Sequence, residues 1–168
     1  MNLELKFLFL RSSEAASNTA MEHHILEDLY AKFIEYDIQI PGIVVWLRST
    51  FVFRNLIHVQ NCIDILRSDL SVSAVRAVVE SENRLYGIEN DILSPQFEDY
   101  GRSMVRRQDV GKSYKVFSTD FFRFSRETLN DRFLGANVRA VVTDKICGFD
   151  IDDFEMTNSA FSLHRGTL

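Results

Sequence analysis

Residues 19–34, with the sequence TAMEHHILEDLYAKFI, predict the most regular element of the chain. Apolar side chains recur there at every fourth position, which places them on one face of an amphipathic helix. They are Met21, Ile25, Leu29 and Phe33. Thr19 and Glu22 have the spacing of a capping box, in which two side chains satisfy exposed N–H groups at a helix start. We therefore predict a helix over about residues 14–37.

The next segment, residues 43–67, is ambiguous. Its apolar residues from Val52 onward follow a helical spacing, and no Gly or Pro interrupts it. Residues 43–53 are instead dense in β-branched and aromatic side chains, which favour strands. A single helix is the preferred prediction, and two strands near 43–48 and 51–59 are the alternative.

The rest of the chain predicts one more helix and then strands. Residues 72–86 carry a helical apolar face and are followed by Gly87, a residue typical of helix ends. Strands are predicted at 3–10, 114–118, 137–142 and 146–151, with Asp144 and Lys145 in a turn between the last two.

These elements predict an α+β fold in a single domain, residues 1–168. A helix-rich half, about 1–93, packs with a mainly antiparallel sheet from about 96–160. The chain is 46% hydrophobic and 26% charged, ordinary values for a soluble globular protein, and its 14 Phe supply a large core or interface.

The sequence shows no sign of a membrane span or of a disulfide framework. No stretch approaches the ~18 apolar residues that a spanning helix needs. Cys62 and Cys147 are the two cysteines, and they form no CxxC pair. This cysteine usage predicts a cytoplasmic location or another reducing compartment.

Charge is segregated along the chain into three blocks. Residues 1–99 hold 8 Lys+Arg and 15 Asp+Glu, residues 100–132 hold 8 and 4, and residues 133–168 hold 3 and 5. A basic stretch between acidic flanks predicts a positive face for an anionic partner. The predicted basic face comprises Arg102, Arg106, Arg107, Lys112, Lys115, Arg123, Arg126 and Arg132.

The leading functional prediction is a non-catalytic interaction or structural subunit of a protein assembly. Its basic face would contact acidic partners, including a second copy of the chain. The alternative is a nucleic-acid-binding protein, since Phe side chains are interleaved with the arginines. A pI of 5.4 argues against that alternative. A small enzyme whose site the sequence does not display is the third possibility.

No catalytic residue, metal site or cofactor is predicted. Gly111, Lys112 and Ser113 resemble the end of a phosphate-binding loop, but the earlier glycine of that motif is replaced by Arg106. Residues four positions apart offer only pairs of ligands: His23 with Glu27, His24 with Asp28, and His58 with Cys62. A structural zinc site needs four converging ligands.

Overall fold

The computed structural model describes residues 9–81, 85–96, 111–129 and 133–151. These ranges hold two α-helices, a mixed sheet of four strands and a separate two-stranded sheet. The α+β class is confirmed. The helix-rich first half is wrong, because four of the six strands in the described ranges lie before residue 96. Most of the strand predicted at 3–10 lies outside the described residues.

Helix α1 spans Glu22–Glu35, which is shorter than predicted. Its start is capped by His24, whose Nδ1 accepts the backbone N–H of Met21 at 2.9 Å, in place of the predicted pairing of Thr19 with Glu22. Leu26 is its fully buried residue. Leu29 and Phe33, on the predicted apolar face, are partly buried against the same core.

The ambiguous segment contains one strand and one helix. Strand β1 spans Ile43–Leu47, and helix α2 spans Leu56–Ser68. Asn55 precedes α2, and its Oδ1 accepts the N–H of Ile57 at 2.9 Å. An Asn at this position satisfies a donor that the first helical turn leaves open. The single-helix prediction was therefore wrong for 43–55 and right for 56–67, whereas the alternative was right about a strand near 43–48 and wrong about one at 51–59.

The helix predicted at 72–86 is wrong. Strand β2 spans Ala74–Ser81, and strands β3, Tyr86–Glu89, and β4, Ile92–Pro95, follow it. β2 is buried on both faces, so it lacks the alternation of a half-exposed strand. Val75 and Val78 are three residues apart, as on one face of a helix, whereas the β-branching of valine favours a strand.

Strands β5, Ser113–Arg123, and β6, Val138–Val142, confirm two of the predicted strands. The strand predicted at 146–151 is wrong, because Lys145–Gly148 form a 3₁₀ helix. The N–H of Cys147 donates to the carbonyl of Asp144 at the start of this 3₁₀ helix. Asp144 and Lys145 therefore do not form a hairpin turn between two strands. Gly148 packs against Val79, where an added Cβ would lie 2.5 Å from Cγ2.

The four-stranded sheet has the order β1-β5-β2-β6. The N–H of Ser73 donates to the Asn137 carbonyl, and that of Thr143 donates to the Val78 carbonyl, so β2 and β6 run in the same direction. The Arg123 N–H donates to the Ser73 carbonyl where β5 ends and β2 begins, which makes that pair antiparallel. The sheet is therefore mixed and takes strands from both halves of the chain.

The chain divides into two compact units, each assembled from three stretches. The first holds Met1–Trp46, Ile63–Val75 and Asp120–Arg139. Its core packs α1 against the end of β5, with the rings of Phe122 and Phe124 at 6.5 Å. Its buried residues include Leu26, Ala74, Phe122, Phe124 and Leu129.

The second unit holds Leu47–Cys62, Arg76–Thr119 and Ala140–Leu168. In its core, the rings of Phe51 and Phe117 meet at 5.6 Å. The buried residues around them include Ala77, Val79 and Cys147. The single-domain interpretation of the chain stays a prediction.

Candidate functional site

The eight residues of the predicted basic face are placed very differently. Arg102, Arg106, Arg107 and Arg132 lie outside the described residues. Lys112 forms an ion pair with Glu80 at 3.4 Å. Lys115 and Arg126 are exposed. Lys112 and Lys115 belong to the second unit, and Arg123 and Arg126 belong to the first. The binding role of this face stays a prediction.

Arg123 has a structural task within the first unit. Its Nε donates to the carbonyl of Val72 at 2.9 Å, and its Nη2 donates to the carbonyls of Leu66 and Asp69. These carbonyls lie at the end of α2 and in the turn that leads to β2. Carbonyls at a helix end lack intrahelical donors, and a guanidinium presents several N–H groups in a fixed plane. Arg123 therefore fixes the α2–β2 turn to strand β5.

Asp69 organises the same turn from the other side. Its Oδ1 accepts the hydroxyl of Ser71 at 2.6 Å and the N–H of Ser71 at 2.9 Å. The side-chain bond from Ser71, then its backbone bond, holds the pKa of Asp69 below its ordinary value. Arg139 lies 3.9 Å from the other carboxylate oxygen and acts in the same direction.

This lowered pKa predicts an acid-dependent loss of stability. A carboxyl group whose pKa is lower in the folded than in the unfolded state stabilises the fold at pH values above the unfolded-state pKa. This contribution is lost as the pH falls through the folded-state pKa. We expect the melting temperature of the wild type to exceed that of Asp69→Asn at neutral pH. The difference should disappear as the pH is lowered. Melting curves along a pH series measure this difference. In a Ser71→Ala background, adding Asp69→Asn should lower the melting temperature by less. A difference in melting temperature that stays constant with pH would contradict the lowered pKa of Asp69.

The candidate metal ligands do not converge within the described part of the chain, where no group of three His, Cys, Asp or Glu side chains has a suitable arrangement. His23 and His24 stack with ring centroids 3.8 Å apart. His58 Nε2 lies 3.4 Å from Oδ2 of Asp144, and Cys62 is fully buried. The absence of a structural metal stays a prediction.

A thiol, an imidazole and a carboxylate come near one another in the second unit. Cys147 follows Asp144, the partner of His58, on the 3₁₀ helix. Burial, and then the Asp144 charge, raise the pKa of the Cys147 thiol, although bonds from Asn55 and Thr143 partly oppose the rise. Burial alone raises the pKa of Cys62 to about 12. A nucleophilic cysteine needs a lowered pKa and access, so this neighbourhood favours a structural role.

We accordingly expect both thiols to resist a thiol-specific disulfide reagent in the native protein. Both are at most 4% exposed, and only the thiolate reacts. The absorbance of the chromophore that the reagent releases should show two reactive thiols per chain in denaturant and almost none without denaturant. Rapid labelling of native Cys147, abolished by Cys147→Ser, would contradict this and support the enzyme hypothesis.

The β3–β4 hairpin exposes several large apolar side chains. Ile88 pairs with Leu93 and Glu89 with Ile92 across a two-residue turn. The turn residues Asn90 and Asp91 have φ of 51° and 63°, as a type I′ turn requires. Asn and Asp adopt this left-handed conformation more readily than other side chains, so their succession between apolar runs was the missed signal.

The register gives the hairpin an apolar face. Directly paired residues share a face, and faces alternate along each strand, which separates two sets of side chains. The apolar face consists of Tyr86, Ile88, Leu93 and Pro95. Ile88 is 75% exposed and Leu93 is 61% exposed. On the opposite face, Ile92 is 68% exposed beside Glu89.

Neither a protein-family model nor a curated protein matches this chain. Across the described residues, no helix has the length and apolar character needed to cross a membrane.

Proposed function

We propose that this protein is a non-catalytic interaction subunit of a protein assembly and that the β3–β4 hairpin is its docking element. The observation that carries the proposal is the exposed apolar face of that hairpin. β3 and β4 form a two-stranded sheet of their own. A free two-stranded sheet is marginal in water, and contiguous exposed apolar side chains mark interaction surfaces.

Burial of the apolar face contributes favourably to association. Burying a large aliphatic side chain contributes roughly 1.5–3 kcal/mol, and association costs roughly 4–15 kcal/mol. The exposed Ile88 and Leu93 of the apolar face therefore offset part of that cost when a partner buries them. Polar contacts at the rim would supply specificity.

The charge of the hairpin refines the partner. Glu89 and Asp91 are exposed at its tip, and residues 85–96 contain no Lys or Arg. Acidic side chains at the tip of an apolar hairpin favour a partner that is basic and apolar. The predicted basic face, with acidic partners, remains a second surface of the same proposal, supported by the exposed Lys115 and Arg126.

The test is a polar substitution on the apolar face. Ile88→Thr with Leu93→Thr removes apolar area and keeps two residues of good strand propensity. We expect this variant to weaken association at least about tenfold, measured by light scattering across concentration and by binding to co-purifying protein.

Leu70→Thr is the matched control, because Leu70 is 81% exposed and lies outside the hairpin. It should associate as wild type does. Equal association of the hairpin variant and wild type would overturn the proposal, as would a wild-type monomer with no co-purifying partner.

A further inference from the structure

We draw no further inference here: the strongest candidate, the group of exposed apolar side chains from the end of β1 to the first turn of α2 (Leu47, Val52, Leu56 and Ile57), carries no proposal because nothing in the structure shows what covers it.

Discussion

Replacing Arg123 with alanine is expected to lower the free energy of unfolding by about 3 kcal/mol. The guanidinium is partly buried and donates to three main-chain carbonyls, those of Leu66, Asp69 and Val72. A hydrogen bond from a charged group contributes about 1.5–3 kcal/mol, and carbonyls left without a donor add a desolvation cost. Denaturant unfolding followed by circular dichroism measures the loss.

Arg126 provides a matched control three positions along the chain. It belongs to the same predicted basic face but is exposed, so Arg126→Ala should change the free energy of unfolding by less than about 0.5 kcal/mol. Arg123→Lys should recover little stability, because an ammonium group cannot reproduce the planar fork of donors. Equal stability of Arg123→Ala and Arg126→Ala would contradict the structural role.

Gly135→Ala is expected to cost about 2–4 kcal/mol. Gly135 has φ of +70°, a left-handed conformation that disfavours side chains. An added Cβ would lie 2.6 Å from Cβ of Ser73 and 2.7 Å from its Oγ. That hydroxyl lies within hydrogen-bonding distance of the carbonyls of Leu134 and Asn137 and accepts the N–H of Asn137, so displacing it also disturbs the junction between β2 and β6.

Gly42→Ala is the control for this second effect. Gly42 has no positive φ, and nothing lies within 4 Å of its added Cβ. We expect Gly42→Ala to melt within a few degrees of wild type and Gly135→Ala to melt far lower. Similar melting temperatures for the two variants in a calorimetric scan would show that the strain and the close contact at Gly135 are absent.

The sequence predicted those elements whose apolar residues repeat with one clear period. α1 was found because one face of the helix meets the core, and β5 and β6 because their residues favour strands. β2 was missed because burial on both faces of a central strand removes the alternation that would reveal it. The division of residues 43–67 was missed because the apolar spacing of α2 extends backward into Val52.

The candidate site was less predictable than the fold. A run of arginines in sequence indicates charge, but it does not show that Arg123 is bound to main-chain carbonyls from residues more than fifty positions away. Tyr86 was assigned to a helix and the other apolar residues of the hairpin to no element, and their exposure depends on the pairing of β3 with β4. That pairing depends on the Asn90–Asp91 turn, whose significance emerges only when both flanking strands are recognised.

The central claim is that another molecule covers the β3–β4 hairpin when the chain assembles. Hydrogen exchange at the amides of residues 86–95, followed across protein concentration, tests it most directly. The account predicts that exchange in the hairpin slows as concentration rises in wild type and stays fast in Ile88→Thr with Leu93→Thr. Association of wild type without any slowing of exchange in the hairpin would contradict the claim.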